Sequence, residues 1–205
     1  MPAMAYLVAT LATLIFAASA NFDLYRIHGQ RASLDSPWGT QPNGYMVFNQ
    51  DPQCGDVQKD KQFWWQRSDV SGNKLGVRCK GKCDVNDWPW PDIQEVEMHF
   101  CNDPLYHFTI YKDRGHQDGE TWKWDLLSID NVKYGECFAY GGYGFDCNWP
   151  NPKLHLWGQR KFRCITQADA KTFNDCHHGN TKGDDDGPSN ATASAVVARS
   201  VAWAA

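Results

Sequence analysis

Eight cysteines constrain this chain more than any other feature: Cys54, Cys79, Cys83, Cys101, Cys137, Cys147, Cys164 and Cys176. An even count at irregular spacing reads as a disulfide framework in an exported chain. Spacing alone does not choose among the pairings, which number on the order of a hundred for eight cysteines. Each bridge restricts the unfolded chain and contributes roughly 2–4 kcal/mol. Cys79 and Cys83 have tolerable spacing for half a zinc site, but no second closely spaced pair follows them. We therefore expect disulfides, no metal, no cofactor and no free catalytic thiol.

Export is read from the N-terminus. Residues 1–20 look like a signal peptide, with an apolar run from Tyr6 to Phe16 and small residues at Ala18-Ser19-Ala20 for cleavage. The segment has no Lys or Arg, so only the α-amino group charges its start. An N-terminal anchor helix is the rival reading, for which the run is short. The expectation is a secreted, extracellular protein that starts at Asn21 and has no membrane span. A formal net charge of −4 argues against holding DNA by bulk charge.

Residues 21–179 form the cysteine-bearing domain. Short β-forming stretches recur there, among them Phe22–His28, Tyr45–Asn49, Gln94–Cys101, Tyr106–Lys112, Leu154–Trp157 and Lys161–Thr166, with turn formers between them. This pattern predicts an all-β antiparallel sandwich or barrel stabilised by disulfides. One helix is expected at Thr166–Asn174, with Thr166 as N-cap and Asp169 at the capping-box position. The Gly-rich run Tyr140–Phe145 reads as a turn. Residues 180–205 read as a disordered acidic and Ala-rich tail, with Asp184-Asp185-Asp186 and one glycosylation acceptor at Asn190. A lipid-anchor signal is the sharper reading of the same tail.

The most informative segment is 93–111. Val96, Met98 and Phe100 alternate with Glu95, Glu97 and His99; Tyr106, Phe108 and Ile110 alternate with His107, Thr109 and Tyr111. Two half-buried strands follow from that period. Parity predicts a three-residue loop, Asn102-Asp103-Pro104, with Cys101 opposite Leu105. The same register sets His99 opposite His107 and Glu97 opposite Thr109. Glu97, His99 and His107 are the candidate acid–base set of a secreted hydrolase such as an endoribonuclease, with Arg114 and His116 following closely as candidates to bind a phosphate; the same imidazoles and carboxylates are also of the kind that ligate a metal. A solvated outer face is the plainer reading.

Aromatic residues supply the other candidates. Trp122, Trp124 and Leu126 share a strand face and are expected in the core. Trp88 and Trp90 lie among Asp87, Pro89, Pro91 and Asp92, a loop-like context in which an indole can stack on a sugar or anchor in a protein. They are the candidate binding residues.

Phe22-Asp23-Leu24-Tyr25-Arg26, Gly76-Val77-Arg78-Cys79, the segment from His99 to His107, Tyr111 to Gly115 and Arg160 to Cys164 together resemble small secreted cysteine-rich proteins of filamentous ascomycete fungi, often described as candidate effectors. The resemblance covers about residues 22–164. It implies a secreted fungal role in virulence and transfers no active-site residue. The expected function is extracellular binding to a host or competitor protein or a cell-wall glycan. A hydrolase, and a GPI-anchored or wall structural protein, are the alternatives.

Overall fold

A computed structural model describes residues 20–31, 42–58, 63–87, 92–112, 114–115, 122–139, 141–150 and 153–180. The strands are β1 (Ala20–Arg31), β2 (Asn43–Phe48), β3 (Phe63–Trp65), β4 (Gly76–Gly81), β5 (Ile93–Asn102), β6 (Leu105–Tyr111), β7 (Lys123–Ser128), β8 (Lys133–Ala139), β9 (Gly144–Pro150) and β10 (Lys153–Thr166). The helices are α1 (Cys54–Val57) and α2 (Ala170–Asn180). The signal-peptide and tail readings, Trp88, Trp90, His116 and Asn190 lie outside the described residues.

The strands make one antiparallel sheet in the order β3-β2-β1-β10-β8-β7-β6-β5-β4. Its ends meet at a bridge between Gln66 and Val77, where the Arg67 amide donates to the Val77 carbonyl at 3.0 Å. The expected all-β fold is thus a nearly closed barrel. Closure removes most of the exposed strand edge. Inward residues follow period 2: Phe22 and Leu24, Val96 and Met98, Trp124 and Leu126, Phe162 and Cys164 all lie in one buried cluster. Phe173 of α2 joins that cluster and caps one end of the barrel through edge contacts with Phe22, Tyr106 and Phe108.

β1 and β10 are longer than their neighbours and project past the barrel. β8 pairs with the C-terminal part of β10, from Phe162 to Ile165, and β9 with its N-terminal part, from Lys153 to Gln159. A second cluster, with Tyr25, Ile27, Phe48, Val57 and Leu156, packs on the opposite side of this projection. Four bridges lock the arrangement: Cys54–Cys147, Cys79–Cys83, Cys101–Cys176 and Cys137–Cys164. Cys137 and Cys164 are direct cross-strand partners with Cα atoms 4.0 Å apart. Cys79 and Cys83 are bonded to each other.

Several expectations need correction. β5 and β6 are joined by a two-residue loop, Asp103-Pro104, and Asn102 pairs with Leu105. A bulge between His99 and Cys101 absorbs one residue and restores His99 opposite His107. A bulge of this kind shifts parity by one residue, so a two-residue loop still leaves like faces matched across the ladder. β10 runs unbroken to Thr166, so α2 starts later than expected. Its cap is Asp169, whose Oδ1 accepts from the Thr172 amide at 2.9 Å, while the Thr166 hydroxyl accepts from the Ala168 amide at 3.1 Å. Trp122 is 44% exposed, because it precedes β7 and packs on Phe138, whereas Trp124 and Leu126 are buried. The Gly-rich run leads into β9, where Phe145, Cys147 and Trp149 alternate with Asp146 and Asn148.

Candidate functional site

The hairpin brings Glu97, His99 and His107 together on the outer face of β5 and β6. It holds them inside the protein. His99 is 0% and His107 7% exposed. The chain after β3 folds over this face, and His99 Nδ1 donates to the Val70 carbonyl at 3.0 Å. His107 Nε2 donates to Glu97 Oε1 at 2.8 Å. The other oxygen of Glu97 accepts from Arg78 Nε at 2.7 Å, and Arg78 also reaches Glu95. A continuous chain of polar contacts therefore runs from Glu95 through Arg78, Glu97 and His107 to the stacked His99.

Electrostatics follow from that geometry. Burial holds the His99 pKa below the ordinary histidine value, and the neighbouring His107 adds to the effect. Burial alone would raise the Glu97 carboxyl, but hydrogen bonds from Arg78 and His107 overcome it and hold the group below its usual range. Near neutral pH both effects favour a neutral His99 imidazole and a charged Glu97 carboxylate. Arg114 does not join them. Its guanidinium lies 4.3 Å from the Tyr111 ring centroid and donates to Asn131 Oδ1 at 3.2 Å. Tyr111 is four residues along β6 from His107, about 13 Å at strand rise.

The barrel mouth opposite α2 carries groups that the alternation pattern did not reveal. Arg26 and Lys161 are 3% and 1% exposed. Lys161 is the extra residue of a bulge, since Leu24 pairs with Phe162 and Tyr25 with Arg160. Both cations hold the segment 82–87 over the mouth. Arg26 Nε donates to the Cys83 carbonyl at 3.1 Å, and Lys161 Nζ to the carbonyls of Asp87 and Val85. Burial pushes the Lys161 ammonium down to about 8. Trp88 follows Asp87 directly, so the described stem of the proposed contact loop is anchored on the barrel.

Beyond the mouth, the projecting part of the sheet presents polar and aromatic side chains. Gln30 pairs with His155 and His155 with Asn148; His28 pairs with Trp157 and Trp157 with Asp146. His155 and Asp146 are in contact at 2.7 Å. A cleft of about 480 Å³ at this end is lined by Gln30, Asn148, Trp149, Lys153, Leu154 and His155 among others. A second cleft, of about 510 Å³, lies at the barrel seam beside Arg67, Arg78 and Lys80. The sequence signal for the first cleft was available in Asp146-Cys147-Asn148-Trp149, which alternates polar with apolar, and in Leu154-His155-Leu156-Trp157, where two leucines alternate with two aromatic rings.

Among the described residues, no helix is long and apolar enough to cross a membrane. No family model matches the chain, and neither a curated protein nor a solved structure matches it.

Proposed function

We propose that this chain is secreted and acts outside the cell by binding a host or competitor protein or a cell-wall glycan. The observation that carries this reading is the state of its ionisable cluster. Glu97 uses both oxygens on Arg78 and His107, and His99 is fully buried against Val70. A general acid or base must reach the proton it moves, and these groups are spent on one another. The exposed polar side chains sit instead on a rigid sheet held by disulfides, which lowers the ordering cost of binding. The predicted leader, the four bridges and the resemblance to secreted cysteine-rich fungal proteins support the extracellular setting. Trp88 and Trp90, which follow in sequence the segment that Lys161 holds, are the proposed contact residues.

The test is retention. Oxidised, purified protein is immobilised and presented with wall polysaccharides and with secreted and surface proteins of a host or a competitor. A saturable partner held by the oxidised chain and released by its reduced form is expected. If Trp88→Ala with Trp90→Ala retains every partner at unchanged affinity, those two residues lose their role. If the oxidised chain retains nothing and instead shortens RNA, the binding reading fails.

A further inference from the structure

We propose that the open face of β1, β9 and β10 is a binding site for a neutral, hydroxyl-rich sugar chain. This inference rests on the binding reading above and names the ligand class and the place. Two successive rows cross the face, Gln30–His155–Asn148 and His28–Trp157–Asp146. Alternation along each strand sets all six on the same side, and neighbouring strands stand about 4.8 Å apart. The first row therefore spaces three polar groups evenly across three strands, and the second sets an indole between two polar groups.

The chemistry of the face suits hydroxyl groups. Gln30 and Asn148 are exposed, and among the described residues neither side-chain amide makes a hydrogen bond within the protein. A carboxamide both donates and accepts, as a sugar hydroxyl does. His155 is oriented by Asp146 at 2.7 Å, leaving its ring fixed rather than free to turn. Trp157 stands between the rings of His28 and His155, with centroids at 6.1 and 4.9 Å, and gives the face an apolar surface of the kind that packs on sugar C–H groups. Charge does not select an ionic ligand. The cleft carries the cation Lys153, and the carboxylate of Asp146 stands beside it on His155.

Preorganisation is the second argument. Among the described residues β9 pairs with β10 alone, and the Cys54–Cys147 bridge ties it to α1 across 93 residues. On the opposite side of the same sheet Tyr25, Ile27, Leu154 and Leu156 are buried in one cluster with Phe48, Val57 and Phe63. The face is therefore held from behind; Gln30, Asp146 and Asn148 are exposed at its front, and His28 at its inner end reaches Asp84 at 3.4 Å.

The experiment titrates the oxidised full chain with soluble cello-, chito- and β-1,3-gluco-oligosaccharides and with oligogalacturonate, read by amide chemical shifts. One neutral oligosaccharide is expected to give saturable shifts at residues 28–30, 146–149 and 153–157. The double change Gln30→Ala with Asn148→Ala is expected to weaken it tenfold or more without moving Tm, and Trp157→Ala to weaken it further. Binding that maps elsewhere, or that survives the double change, overturns the site and leaves the binding reading intact. Preference for oligogalacturonate overturns the ligand class. If no oligosaccharide binds, the inference fails, and the binding reading then stands or falls on capture of a protein partner.

Discussion

His107 lies face to face with His99, ring centroids 4.5 Å apart and planes inclined by 11°. Two stacked imidazoles cannot both carry charge cheaply, and burial keeps His99 neutral. Its folded pKa lies below the unfolded value of about 6.5. The unfolded chain therefore binds more protons as pH falls below that value, so stability drops on acidification. Glu97 acts in the same direction at lower pH, because its folded pKa is also depressed. Thermal unfolding from pH 7 to 4 is expected to show a declining Tm. His99→Asn keeps a donor for the Val70 carbonyl and is expected to flatten the part of the decline nearest pH 6. An unchanged slope in that variant would refute the assignment.

Glu97→Gln tests the polar chain directly. The substitution weakens the contacts to both Arg78 and His107 while preserving shape. A loss of about 1–3 kcal/mol is expected for charge-assisted hydrogen bonds of this kind. Urea unfolding at pH 7 measures it. Arg114→Ala, at the far end of the hairpin, is expected to change stability by less than about 0.5 kcal/mol.

Lys161 has the opposite pH window. Its folded pKa of about 8 lies below the unfolded value of about 10.4. Between these values the unfolded state holds the extra proton, so stability should rise with pH there. Tyr45, raised to about 12 by burial, opposes unfolding-linked ionisation in the other sense and erodes stability above about pH 10. The measurable quantity is the Tm difference between the native chain and Lys161→Met. That difference is expected to move in favour of the native chain from pH 8 to 10. A difference that stays constant would remove the buried ammonium from the account.

The bridges should contribute unequally. Cys54–Cys147 and Cys101–Cys176 close loops of 93 and 75 residues, whereas Cys79–Cys83 closes one of four. Chain entropy assigns each long closure on the order of 4 kcal/mol and the short one about 2 kcal/mol. Replacing each pair by serines and comparing unfolding midpoints tests this order. The short bridge also tethers the segment that Arg26 and Lys161 hold over the mouth, so its loss is expected to alter indole fluorescence more than it lowers stability.

The strand class was legible because inward and outward residues alternate, as in Val96–Glu97–Met98. The pairing of His99 with His107 followed from the same alternation. What alternation did not contain was the cover. A polar face of Glu and His reads as solvated until a distant segment, here Val70 and its neighbours, folds across it. Bulges were equally hidden. One re-sets the 93–111 hairpin and the other places Lys161 under the 82–87 segment, and each costs the sequence a single residue with no compositional mark. β9 was obscured because its glycine, asparagine and proline carry turn signals, although Phe145, Cys147 and Trp149 keep strand period. The projecting face needed three strands brought together from residues 30, 148 and 155.

The most direct measurement is the chain length of polymers recovered after incubation with the oxidised protein. Wall glycans and RNA are incubated separately, then separated into retained and free material and sized. The account predicts a retained polymer of unaltered length, with the same result for Glu97→Gln. Progressive shortening by the native chain that vanishes in Glu97→Gln would contradict it, since the buried cluster would then be doing chemistry.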